Sequence, residues 1–233
     1  VGHGILIDVP PGGTRAYEDI LQVIPGIIVD DSGSFSGALS ITYTNGGEDE
    51  VPPQIVSRTY NETPDGTFGQ FVPAVPVLPA EDNRLFLTGL VHNLYYRTNI
   101  RLANMGDESV VATITPVDQH GEVLGDPIYP TVQAKSTTQV NSVLEAAGIS
   151  TFVDIFSVQV DTGSPSVSAW STVVDNQNGD PVLYSSKLTD EDDIKLWVPG
   201  VARLAGANDS EWRTDITFFN PTSEDLSFDV TYV

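Results

Sequence analysis

The chain has 233 residues, 32 acidic against 10 basic, a net charge of −22 at pH 7 and no cysteine. That length supplies one large domain or two of roughly 100–150 residues. The acidic excess argues against nucleic acid or an anionic membrane surface as a partner, because both need clustered Lys and Arg to neutralise phosphates. Without cysteine there are no disulfides, thiolate catalysis, Cys-ligated zinc or iron–sulfur clusters. No apolar run reaches membrane-spanning length, so no membrane insertion is expected, and the start at Val1 reads as a mature or excised product.

Helical periodicity is nearly absent, whereas short alternating or β-branched runs bounded by Gly, Pro, Asn and Asp recur throughout. The pattern predicts an all-β fold. In chain order, the expected strands are Gly4–Val9, Ala38–Tyr43, Gln54–Tyr60, Phe68–Val72, Leu85–Leu90, Thr98–Ala103 and Val110–Val117. They continue with Phe156–Asp161, Ser166–Val174, Val182–Ser186 and Thr214–Phe219. Asn45-Gly46, Pro64-Asp65-Gly66 and Asn178-Gly179 suit tight hairpin turns, since these residues accept positive φ. Helix is expected only at Arg15–Val23 and at Thr138–Ala147 before Gly148.

Those two helical stretches are the first sign of duplication. The run from Gly13 to Leu21 matches the run from Ser136 to Leu144, 123 residues later. Phe71-Val72-Pro73-Ala74-Val75 returns as Trp197-Val198-Pro199-Gly200-Val201, 126 residues later. Tyr96-Arg97-Thr98-Asn99-Ile100, with Asn104, Glu108, Ile114 and Thr115, returns 116 residues later as Trp212-Arg213-Thr214-Asp215-Ile216, with Asn220, Glu224, Val230 and Thr231.

A repeat this long implies tandem domains rather than a solenoid. Its phase divides the chain into three: residues 1–79 match the back part of a repeat, 80–195 form a complete repeat, and 196–233 match the front part of another. The two partial pieces add up to one further domain, split between the N- and C-terminal segments. The segment 196–233 carries Trp197, Val198, Trp212, Ile216, Phe218, Phe219, Phe228, Val230 and Tyr232. Each such side chain stabilises by roughly 1.5–3 kcal/mol when buried. These nine are therefore the expected packing residues between segments or subunits, against residues 1–79 of the same chain or of a neighbouring copy.

Val56-Ser57-Arg58-Thr59-Tyr60-Asn61 followed by Gly66-Thr67-Phe68-Gly69-Gln70-Phe71-Val72-Pro73-Ala74 resembles a tandem repeat module of secreted and surface bacterial multidomain proteins. The strands beginning Tyr96-Arg97-Thr98 and Trp212-Arg213-Thr214 resemble its opening strand. The stretch from Ala169 to Asn176 with Gly179-Asp180-Pro181-Val182 resembles its closing hairpin. The resemblance implies two immunoglobulin-like β-sandwich domains, one of them split, and an extracellular or cell-surface location in a bacterium. It carries no catalytic motif.

Other constellations have plainer readings. Arg58-Thr59, Arg97-Thr98 and Arg213-Thr214 place Arg and Thr on opposite strand faces, and each Arg is expected to cover a sandwich edge and pair with a carboxylate. Asp190-Glu191-Asp192-Asp193, Glu48-Asp49-Glu50 and Asp30-Asp31 read as solvated acidic links, with calcium at a domain junction as the alternative. His3, His92 and His120 have no zinc-type spacing, and no Gly-x-Ser-x-Gly elbow is present. No cofactor or catalytic residue is therefore expected, and the chain reads as no enzyme. Lys135, Lys187 or Lys195 could form an isopeptide bond with an Asn. Asn61-Glu62-Thr63 and Asn208-Asp209-Ser210 match the glycosylation pattern.

The resulting expectation is a structural subunit of an extracellular filament, polymerising head-to-tail by strand complementation with copies of itself or with repeats of the same family. The alternative is a carbohydrate- or protein-binding adhesin or accessory module of an exported enzyme, in which Tyr95, Tyr96 and Trp170 stack on a glycan, although each alternates into an expected core position.

Overall fold

Alternation decides the fold locally. The computed structural model describes residues 4–25, 38–42, 55–63, 66–74, 83–186, 201–205, 211–222, 224, 226–227 and 230–231. The chain divides into two units, Val1–Gly37 and Ala38–Val233.

In the first unit the expected helix is cut to its last turn, α1 (Ile20–Val23). Asp19 precedes it at φ 44°, ψ 68°, a left-handed backbone that a helix cannot run through. Upstream, Gly12 at φ 68° lets Gly13 N donate to Pro10 O at 2.8 Å. Residues 4–9 belong to no ladder, in contrast to the expected strand Gly4–Val9.

The second unit begins with the hairpin β1 (Val56–Thr63) and β2 (Gly66–Pro73), in full antiparallel register from Val56↔Pro73 to Thr63↔Gly66. It continues with β3 (Arg84–His92), β4 (Tyr96–Asn104), β5 (Val110–Val111), β6 (Thr113–Val117), β7 (Thr131–Val132) and β8 (Ser136–Val140). Then follow α2 (Val143–Ala146), β9 (Val153–Asp161), β10 (Val167–Asp175), β11 (Pro181–Ser185), β12 (Leu204–Ala205) and β13 (Glu211–Trp212).

These strands form a four-stranded sheet β11-β10-β4-β8, a three-stranded sheet β3-β9-β6 and smaller pairs β1-β2, β5-β7 and β12-β13. Every pairing is antiparallel. Alternate residues Thr98, Ile100 and Leu102 of β4, and Val167, Ala169, Ser171 and Val173 of β10, are buried. They meet Leu85, Leu87 and Leu90 of β3 and Phe156, Val158 and Val160 of β9 in one shared core, the arrangement of a sandwich. β2 lies beside the edge strand β11.

The structure bears out the all-β expectation and alters several elements. The run Val110–Val117 breaks at Ala112, because β5 pairs with β7 whereas β6 pairs with β9. At the change of partner Ala112 N turns to Pro130 O, 3.1 Å away. The expected helix Thr138–Ala147 is half strand: residues Ser136–Val140 pair with β4, and Ser142 at φ 43° separates that ladder from the single helical turn of α2. A five-residue ladder beside a core strand outcompetes a helix of marginal length. Residues 38–42 and 214–219 lie in no ladder, unlike the strands expected there, and Tyr43 is outside the described residues. Gly179 takes φ 78°, as its hairpin turn requires. At the turn after β6, backbone N–H groups of Glu122 and His120 donate to Asp118 and hold its carboxyl below the ordinary range.

Candidate inter-repeat surface

Residues with matching letters 116 apart share hydrogen-bond geometry. Asn104, fully buried at the end of β4, donates from Nδ2 to Glu108 O at 2.7 Å, and its Oδ1 accepts from Gly106 N at 2.8 Å. Asn220 repeats this loop clamp, donating to Glu224 O at 2.6 Å and accepting from Thr222 N at 2.9 Å. Thr98 Oγ1 bonds the backbone of Val91, accepting from its N at 3.3 Å and donating to its O at 2.7 Å. Thr214 Oγ1 likewise accepts from Ala202 N at 2.9 Å.

The back part of the repeat matches too. Ser142 before α2 and Asp19 before α1 share the same left-handed backbone, φ 43°, ψ 64° and φ 44°, ψ 68°. Lys135 (φ 52°) and Gly12 (φ 68°) share a second left-handed position, at the same spacing of 123 residues. Ser57 Oγ donates to the carbonyl of its cross-strand neighbour Val72 at 2.7 Å, and Ser171 Oγ to that of its neighbour Tyr184 at 3.3 Å; this likeness is spaced by 114 and 112 residues and so disagrees with the 126-residue match of Val72 to Val198.

What differs is cover. Ile100, Leu102 and Val132 are 0% exposed, whereas their matches Ile216, Phe218 and Val9 are 54%, 47% and 51% exposed. Val143 and Leu144 of α2 are fully buried, but Ile20 and Leu21 of α1 are only half-buried. Asn104 also donates to Val132 O of β7 at 3.1 Å, a bond that locks the loop clamp to a neighbouring strand.

Of the expected packing residues, Ile216, Phe218 and Val230 are exposed, and Phe219 is half-buried with its ring 5.2 Å from that of Phe86. Thr217 Oγ1 comes near Gly89, also on β3, so this segment runs over the outer face of that strand. Trp212 lies in β13, paired with Leu204. Trp197, Val198, Phe228 and Tyr232 lie outside the described residues. Phe86 was not foreseen, because on β3 it alternates away from the core and only the tertiary path of residues 217–219 gives it a partner. Asn104 and Asn220 were foreseen only as matching letters; their four-residue spacing to Glu was the available signal of a clamp.

The remaining candidates resolve differently. Arg97 Nη1 donates to Asn176 Oδ1 at 2.6 Å, and Arg58 Nη2 donates to Thr67 Oγ1 at 2.9 Å while lying 4.9 Å from the Tyr60 ring centroid. These partners are an amide, a hydroxyl and a ring rather than the expected carboxylates. Among the described residues no group of three or more His, Asp and Glu could hold a metal ion. The acidic runs at residues 30–31, 48–50 and 190–193, and His3, lie outside them. His92 is buried, and Nδ1 has no hydrogen-bond partner among the described residues; His120 is exposed. Lys135 Nζ is exposed, 2.6 Å from Met105 O and 3.1 Å from an Asp107 carboxylate oxygen. Lys187 and Lys195 lie outside the described residues. Tyr95 and Tyr96 are exposed, contrary to their expected core positions, because Asn93 Oδ1 accepts from both backbone N–H groups and turns the chain there.

No family model matches the chain, and no curated protein sequence matches it. Among solved structures it is similar to Anabaena sensory rhodopsin transducer, at 20% identity over 40% of this chain and 96% of that one, TM-score 0.32. It is also similar to Thermotoga maritima 1070, at 16% identity over 47% of this chain and 96% of that one, TM-score 0.34.

Proposed function

We propose that the protein is a non-enzymatic structural subunit of an extracellular bacterial filament or surface appendage, built from tandem immunoglobulin-like repeats. In this reading the front-part segment, residues 196–233, completes the back part, residues 1–79, of the next copy. One observation carries it: both partial pieces keep the backbone signatures of the complete repeat, yet expose the apolar residues that the complete repeat buries. Such a contact joins different surfaces of successive copies and so propagates unless it closes into a ring. Added strands supply main-chain hydrogen bonds, and the exposed apolar residues supply burial.

The test compares the intact chain with a chain ending at residue 196, by light-scattering chromatography and negative-stain microscopy. The intact chain is expected to form fibres or a concentration-dependent ladder of oligomers, and the truncated chain to stay monomeric. A folded monomer of the intact chain at high concentration would sink the reading.

A further inference from the structure

Two edge strands of the sandwich meet on one side of it. β11 ends the four-stranded sheet, β3 ends the three-stranded one, and the two lie against each other. Gly89 marks the meeting point. It takes φ 75° inside the register shift between Leu87 and Leu90, and a Cβ there would lie 3.2 Å from Tyr184 Cε1 of β11 and 3.7 Å from Thr217 Oγ1. The bulge and the missing side chain together clear the room in which a ring from β11 and a residue of the segment 217–219 converge.

The segments that flank the sandwich in the chain both come to this side. Before it, β2 lies beside β11. Phe68, Gly69 and Gln70 of β2 are half-buried and Gln70 Oε1 is fully buried, whereas residues 56–62 of its ladder partner β1 are exposed. An isolated two-stranded hairpin is marginal in water, so the β1-β2 ladder depends on the cover that β2 finds against β11. After the sandwich, Phe219 sets its ring 5.2 Å from that of Phe86 on β3, two residues beyond the Thr217 that meets Gly89.

We propose that the β3–β11 edge is a single docking surface for both flanking segments, β2 and residues 217–219, with Gly89 and Tyr184 as the contact they share. Open strand edges invite pairing with other chains, and here the chain's own segments occupy the place. Because one ring stands between the two segments, displacing it loosens both. The proposal does not rest on the filament reading, since it concerns only contacts within one chain.

Three variants of the full chain test it. Gly89→Ala sets a methyl group against Tyr184 and Thr217, and Tyr184→Ala removes the shared ring without straining the backbone. Gly179→Ala controls for strain, because Gly179 is also left-handed, at φ 78°, but has open space around it. In dilute solution, hydrogen exchange reads the β1-β2 ladder, and chymotrypsin cleavage after Phe218 and Phe219 reads the other segment. Gly89→Ala and Tyr184→Ala should each raise both rates about tenfold over the unaltered chain and over Gly179→Ala, with protection of β4 and β10 unchanged.

A rise in one rate without the other would overturn the shared surface. No rise in either with Tyr184→Ala would overturn the docking itself. Should Gly89→Ala also lose protection in β4 and β10, Tyr184→Ala decides by the same two rates.

Discussion

A single amide does different work in its two settings. Asn104 satisfies the Glu108 and Val132 carbonyls and the Gly106 N–H from a fully buried position. Each buried backbone group left unpaired costs about 1–3 kcal/mol. Asn104→Ala should therefore lower unfolding stability by roughly 2–4 kcal/mol, read from urea melts. Asn220→Ala, at a half-exposed site where water replaces the lost bonds, should cost under about 1 kcal/mol in the unassembled chain while reducing assembly. Equal destabilisation by the two would mean that Asn220 is already locked within its own chain. The sequence pairs these residues by spacing, but nothing in it distinguishes a covered clamp from an uncovered one. Cover is tertiary, set by which strand passes the carboxamide.

At the scale of elements, alternating strands with a core face were legible because a period of two survives any topology: β3, β4, β9 and β10 lie where expected. Elements set by a few backbone angles were not. Of the strand–turn–helix from Ser136 to Ala146, the letters from Thr138 to Ala147 read as helix because Gly148 offers a helix stop, and the left-handed Ser142 leaves no mark in them.

That turn is also a docking point. Asp126 N donates to Ala147 O at 2.8 Å, and a Cβ on the left-handed Gly125 would collide with the same carbonyl. Gly125→Ala should therefore destabilise the domain by roughly 2–3 kcal/mol, backbone strain plus displacement of the end of α2. Gly179, also left-handed but with open space around it, provides the control. Gly179→Ala should cost only about 1–2 kcal/mol, from the backbone alone. Thermal melts of the two variants separate the terms, and equal losses would mean that α2 yields freely.

For the whole molecule, the charge of −22 and the exposed apolar residues would act on different contacts of the proposed filament. Charges on separate copies repel only within about a Debye length, near 8 Å at physiological ionic strength and near 3 Å at 1 M salt. Side-by-side packing of the proposed filaments would bring many carboxylates within that distance. The proposed end joint, if made by strand pairing and apolar burial, would gain much more from its hydrogen bonds and buried area than it would lose to such repulsion. Raising salt to about 1 M should therefore leave filament length unchanged or increase it, while allowing filaments to bundle. Lowering pH to about 4, where ordinary carboxylates approach half protonation, should do the same without added ions. Light scattering would rise in both cases, and negative-stain images would show parallel bundles of otherwise unaltered fibres. Fibres that fall apart into monomers in high salt would indicate a joint held by ion pairs, and would count against strand completion as the contact that carries the assembly.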